Sequence, residues 1–200
     1  MSYLNTSLRR IMLTVGLCLT FPAFADLDYE ETYQRLKTVP EDYRNFGTIC
    51  ERVGWLELYE VYDSEDYEII VGIEYSNGHR ILGELDLVVL QRWDGEAVLV
   101  SEVKCSNSPG SAVRKAREQL ARFNSVIASG QKVYIYHKAN RDRHFLPTQF
   151  DEQPLSYSMG QKGSTHHGFD LEISFSLEQV RDIRDRLIFC QHRGECPTHP

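Results

Sequence analysis

Apolar residues along this chain recur in some stretches at steps of three and four and in others at steps of two, and the switches mark its elements. Over 41–57, Phe46, Ile49, Cys50, Val53 and Leu56 follow the helical step just behind Pro40, which predicts a helix. Residues 67–75 (YEIIVGIEY), 81–90 (ILGELDLVVL) and 97–105 (AVLVSEVKC) are strongly apolar, rich in β-branched residues and bounded by turn sequences, so they read as strands. Ser76-Asn77-Gly78-His79 and Trp93-Asp94-Gly95-Glu96 close them into consecutive hairpins. A helix over 111–129 follows, with Val113, Ala116, Leu120, Phe123 and Ile127 on its apolar stripe and Gly130 at its end, and 132–137 (KVYIYH) reads as a fourth strand. Periodicity then lapses from 139 to 168, where Pro147, Pro154, Gly160 and Gly163 gather, so a long loop is expected there, of a kind that often serves as a lid. A strand near 169–175 and a helix opened by a Ser176/Gln179 capping box complete the pattern.

Two of these strands carry charge where charge is costly. In 81–90, strict alternation puts Leu82, Glu84, Asp86, Val88 and Leu90 on one face, and both faces are mostly apolar, as in a covered central strand. In the next strand Glu102 and Lys104 point to one side and Val103 and Cys105 to the other. Pairing across the hairpin brings Asp86 to Glu102, with Lys104 one pleat further. Two carboxylates and an ammonium at one spot suit a hard divalent cation with a water beside it. Among the lysines, only Lys104 has an acid two positions ahead of it.

The run Gly83-Glu84-Leu85-Asp86, an Asp-Gly turn, Glu102-Val103-Lys104 and then a helix resembles the PD-(D/E)xK nuclease superfamily over about residues 41–138. Gly47-Thr48-Ile49-Cys50-Glu51 resembles the first-helix element whose glutamate faces the metal, and Gln119 with Phe123 resembles the glutamine-x-x-x-aromatic element of one branch. Taken alone, Glu51 reads as an ordinary helix acid and Gln119 as a core-flanking glutamine. The small single-domain members, including those similar to Holliday-junction resolvases, are the most alike; Leu85, not proline, precedes Asp86. The resemblance implies an α/β fold with a restriction-endonuclease-like αβββαβ core, a mixed central sheet flanked by helices. It also implies a metal-dependent phosphodiesterase acting on nucleic acid, DNA before RNA. Asp86 and Glu102 would bind Mg²⁺ or Mn²⁺ with the Val103 carbonyl as a third ligand, Lys104 would orient the attacking water, Glu51 would hold a water or a second ion, and Gln119 would steady Lys104 or the phosphate. The alternative is a non-catalytic binding or structural protein that keeps the fold and uses these charges as an ion-pair network.

Residues 1–25 read as a secretory leader: Arg9 and Arg10, an apolar run from Ile11 to Phe21, then Ala23-Phe24-Ala25. That predicts a periplasmic or secreted protein with no membrane attachment once the leader is removed, a domain over 26–190 and a short tail over 191–200. Two of the 22 basic residues and none of the 29 acidic ones precede Asp26, so the formal charge of −7 becomes −9 without the leader. Such a balance opposes indiscriminate binding to nucleic acid and leaves local patches to do it. Arg114, Lys115 and Arg117 on the 111–129 helix are the candidates, with Arg122 and the Lys138–His144 segment nearby. Cys50, Cys105, Cys190 and Cys196 remain after the leader, and an oxidising compartment favours disulfides in one of three pairings. A Cys190–Cys196 loop would leave Cys50 to Cys105; a Cys/His zinc site lacks the two-residue cysteine spacing. His166 and His167 are adjacent and diverge in a strand, which argues against a dedicated metal site there.

Overall fold

The computed structural model describes residues 26–198; the leader lies outside them. Helices α1 (Tyr29–Leu36) and α2 (Phe46–Tyr59) precede a meander of β1 (Tyr67–Ser76), β2 (Ile81–Gln91) and β3 (Ala97–Lys104). Helix α3 (Pro109–Ala128) leads to β4 (Tyr134–His137) and β5 (His144–Phe145), and β6 (Leu155–Gly160), β7 (Leu171–Glu172) and α4 (Leu177–His192) follow. The strands form one mixed seven-stranded sheet in the order β5-β4-β1-β2-β3-β6-β7, with β3, β6 and β7 parallel and the other pairs antiparallel. This is an α/β fold with helices on both faces of the sheet. Ile49, Val53 and Leu56 of α2 and Val180, Ile183 and Leu187 of α4 bury one face, while Leu120, Phe123 and Val126 of α3 bury the other.

Local chemistry sets the boundaries. Asn45 caps α2, its Oδ1 accepting from the Gly47 N–H at 3.0 Å, so the helix starts at Phe46 and not at 41. Ser176 and Gln179 form the expected reciprocal capping box on α4. Two departures stand out. Residues 139–168 are not one loop: they contain β5, two short 3₁₀ turns (Pro147–Phe150 and Ser164–His167) and β6, a central strand beside β3. Leu155, Tyr157 and Met159 do alternate with Ser156, Ser158 and Gly160, but the run is only six residues long and lies among the prolines and glycines that suggested a loop. The expected strand at 169–175 shrinks to the two residues of β7, and α1 was unannounced because only Thr32 and Leu36 of its eight residues are buried.

The β2 alternation also breaks, and the break positions the site. Leu85 belongs to the α3-side cluster with Val88 and Leu90, whereas Leu87 and Val89 belong to the α2 side. Strict alternation would have put Leu85 with Leu87. Strand β1 reverses at the same level: Ile70 and Ile73 both pack on the α3 side, with Gly72 between them at φ +76°. Gly72 stands across from Asp86, since Val71 pairs with Leu87 and Ile73 with Leu85. A left-handed residue inside a strand needs glycine, and here it lets both strands turn over together. Asp86 and Glu84 thereby leave the sheet toward α2.

Among the described residues no helix is long and apolar enough to cross a membrane. Cys50 is bonded to Cys105 and Cys190 to Cys196, with Cα atoms 6.2 and 5.4 Å apart. These disulfides fit an oxidising, extracytoplasmic compartment.

Candidate active site

The β2–β3 ladder runs from Ala97 to Ser101 and stops at the Leu87–Ser101 pair. The next residues in register, Asp86 and Glu102, face each other across the gap that opens there. Asp86 Oδ2 accepts a 2.8 Å hydrogen bond from the Val103 N–H, so a carboxylate takes the place of the missing backbone acceptor. Lys104 Nζ lies 2.6 Å from Asp86 Oδ2 and 2.8 Å from Glu102 Oε2. On its other edge β3 stays paired, Glu102 with Ser158, Val103 with Met159 and Lys104 with Gly160. The three charged groups therefore sit in a split in the sheet, with one wall fixed by the β6 ladder.

Their burial is unusual for ionisable groups: Asp86 is 4% and Glu102 0% exposed. Burial, and then the Asp86 carboxylate, push the Glu102 carboxyl up to about 9, and the Lys104 ammonium only partly opposes them. Glu102 Oε1 has no hydrogen-bond partner. Lys104 loses ground to burial, yet the two carboxylates more than restore it and hold its pKa above the ordinary lysine value. A second oxygen, Tyr75 Oη, is also buried without a partner; its ring packs edge-on against Phe123 at 5.2 Å and lies over Gly83.

Glu51 approaches from α2. A Cβ at Gly47 would lie 3.2 Å from Glu51 Oε1, so the bare glycine one turn earlier makes room for the carboxylate. Burial raises the Glu51 pKa to about 7, with Asp86 and Glu84 adding to the shift and Lys138 and Lys104 opposing it. The Cys50–Cys105 disulfide joins the residue before Glu51 to the residue after Lys104. A cleft of about 340 Å³, lined by Thr48, Glu51, Arg52, Gly72, Glu84 and Lys138 among others, opens beside this corner. It reaches Glu51 and Glu84, while Asp86, Glu102 and Lys104 lie deeper.

No protein-family model, no curated protein and no solved structure matches this chain. The chemistry must be read from the geometry alone. Among the described residues no group of three or more His, Cys, Asp or Glu side chains is arranged to hold a metal ion. Magnesium and manganese do not require one, because such ions take one or two carboxylates and keep several waters. Asp86 and Glu102 fit that demand: Glu102 Oε1 is buried without a partner, and the Glu102 carboxyl stays raised by burial and by Asp86 even with the Lys104 ammonium against both acids.

The remaining sequence candidates do not converge on this point. Gln119 is half-buried on α3, and among the described residues no hydrogen bond joins it to Asp86, Glu102 or Lys104. Arg117 is engaged elsewhere, donating to the Gly168 carbonyl at 2.6 Å and to Asp170 at 3.2 Å. Arg114 faces Glu118 at 3.9 Å, and Lys115 is exposed. Lys138, Arg141 and Arg143, read as phosphate contacts, pair with Glu84, Glu74 and Glu68. Sequence reasoning missed Gly72 and the Lys138–Glu84 pair at 2.7 Å. A glycine inside the apolar strand YEIIVGIEY was the available signal for the first; the second depends on β4 lying beside β1, which no local pattern reveals.

Proposed function

We propose that this chain is an exported, divalent-metal-dependent nuclease that hydrolyses phosphodiester bonds of nucleic acid, DNA before RNA, at a PD-(D/E)xK-like site. One observation carries the reading: Asp86, Glu102 and Lys104 meet within hydrogen-bonding distance in the split between β2 and β3. The succession α2-β1-β2-β3-α3-β4 supports a restriction-endonuclease-like αβββαβ core. In this chain β6, not β4, is the strand parallel to β3, and β4 extends the far side beside β1.

Asp86 and Glu102 would hold Mg²⁺ or Mn²⁺. Val103 donates its N–H into the gap, and since the N–H and C=O of one strand residue point the same way, its carbonyl is turned there too. When bound, the ion supplies a Lewis acid for the phosphate and lowers the pKa of a water. Relieved of its carboxylate partners, the Lys104 ammonium offsets negative charge gathering on the phosphate oxygens. Glu51, which faces the cleft beside the site, would hold a water there or accept its proton. On α3, Lys115 is exposed and Arg114 is exposed beside Glu118, and both would be placed on the helix to meet neighbouring phosphates.

A second reading, a non-catalytic binding or structural protein, draws on the same cluster: the Lys104 ammonium already satisfies one oxygen of each carboxylate. Incubation of the purified protein with single- and double-stranded DNA and RNA separates the two. Cleavage with Mg²⁺ or Mn²⁺ that chelator abolishes supports the nuclease; intact substrates under every condition leave the binding or structural protein.

A further inference from the structure

We propose that the Cys50–Cys105 disulfide is a redox gate on the metal site: with the bond formed the site takes its cation, and with the bond reduced it does not. The inference rests on the metal-site reading above and adds a control to it. Cys50 precedes Glu51 and Cys105 follows Lys104, so the bond links the backbone on either side of the site across 55 positions of chain.

The sheet leaves this segment unsupported on one side. Past Ser101, β3 has no backbone pairing with β2, and only β6 holds it. Toward β2 and α2 it is held by the hydrogen bond from the Val103 N–H to Asp86, the Lys104–Asp86 ion pair, the packing of Val103 against α2, and the one covalent tie, the disulfide. The first is made by a residue the cation itself needs. Reduction would remove the covalent link that holds Glu51 on α2 against the Glu102–Lys104 segment. The second disulfide joins positions six apart at the end of α4, which makes it an internal control.

The chemistry is ordinary thiol–disulfide exchange. Dithiothreitol delivers two electrons and two protons, the Cys50–Cys105 S–S bond breaks to two thiols, and the reagent leaves as its cyclic disulfide. A chain held reduced where it is made would stay inert toward the nucleic acid of that compartment and gain its site on oxidation after export.

The test uses Mn²⁺ alone as the probe, with free Mn²⁺ read by electron paramagnetic resonance. Parent protein and a Cys190→Ala/Cys196→Ala variant are measured oxidised, reduced and desalted without oxygen, and reoxidised; a Cys50→Ala/Cys105→Ala variant is measured alongside. The expected result is Mn²⁺ affinity at least about tenfold weaker on reduction in both parent and Cys190→Ala/Cys196→Ala protein, recovery on reoxidation, and weak binding by the Cys50→Ala/Cys105→Ala variant in any buffer. Near-UV circular dichroism should stay native while hydrogen exchange quickens at 102–105. Reduced and oxidised affinities within twofold of each other overturn the gate alone, and so does loss of the native near-UV signal, which would make the bond a staple of the whole fold. Absence of Mn²⁺ binding by the oxidised parent overturns the metal-site reading, and the gate with it.

Discussion

Replacing Lys104 by methionine keeps the length of the side chain and removes the charge that two buried carboxylates share. Breaking a buried ion pair by deleting one partner costs about 3–5 kcal/mol. The Lys104 side chain is 28% exposed, so water reaches it and the lower end applies, about 3 kcal/mol. For a domain of this size that is roughly 6–12 °C in Tm. The loss depends on pH in a definite direction. The Glu102 pKa rises from 4.5 to about 9 on folding, so stability from this group is greatest below the unfolded value and falls as pH climbs toward the folded one. Lys104 moves up as well, so its stabilisation is complete below 10.5 and the parent keeps it across this range. Without the ammonium the Glu102 carboxyl rises further, so the fall continues beyond the pH at which the parent levels off, and the Tm gap between parent and Lys104→Met widens as pH 9 is approached in chelator. Added Mn²⁺ narrows the gap at pH 8, because a cation again sits between the carboxylates. Calorimetry at pH 5, 7 and 9, with chelator and with Mn²⁺, measures all of this; a gap that is absent, or that narrows as pH rises, refutes the reasoning.

Three further outcomes are expected. Peptide mapping of the native protein should find no free thiol, and urea unfolding of the paired Cys→Ala variants should show a loss of about 4 kcal/mol for the 55-residue Cys50–Cys105 closure against about 2 kcal/mol for Cys190–Cys196; equal losses would contradict the loop-closure argument. In a salt series on a cleavage-dead form, Lys115→Ala should flatten log affinity against log salt by up to about 0.9 per duplex phosphate contact. Arg117→Ala should leave that slope unchanged because Asp170 and Gly168 hold its guanidinium; the reverse ranking would place nucleic acid elsewhere. Gly72→Ala forces a side chain into φ +76° and 3.3 Å from Lys138 Cβ, so a destabilisation of about 1–3 kcal/mol is expected, and an unshifted urea midpoint would mean the strand reversal accommodates it.

The motif strands were legible because their signals are local. A turn with Gly95 at φ +76° and an Asp94 carboxylate accepting from the Glu96 N–H sets the hairpin, and a one-residue register shift between the Leu90–Ala97 and Val89–Leu99 pairs then sets Asp86 against Glu102. The Gly47–Glu51 relation needs only one helical turn. Both disulfides followed from a short loop leaving one other pair. Strand β6 carries a short alternation in Leu155, Tyr157 and Met159, but its place beside β3 was not legible, because that comes from pairing partners more than fifty residues away. The reversal at Asp86 needed two strands at once: Gly72 gives the freedom, but only its register with Asp86 shows what the freedom is for. The ion pairs of the basic residues were hidden for a similar reason. Arg117, Lys138, Arg141 and Arg143 look free along the chain, and tertiary neighbours claim each of them.

The Glu102→Gln substitution separates chemistry from folding, since it keeps the shape of a side chain that burial already favours in its neutral form and removes only its capacity to ionise. The cleavage rate of Glu102→Gln relative to the parent, on the nucleic acid the parent cuts in Mn²⁺, is the most direct measurement. The metal-site account predicts a rate lower by about a hundredfold or more, from a protein whose Tm in chelator at pH 8 is no lower than the parent's. A rate within twofold of the parent's would contradict it and place any cleavage at another site.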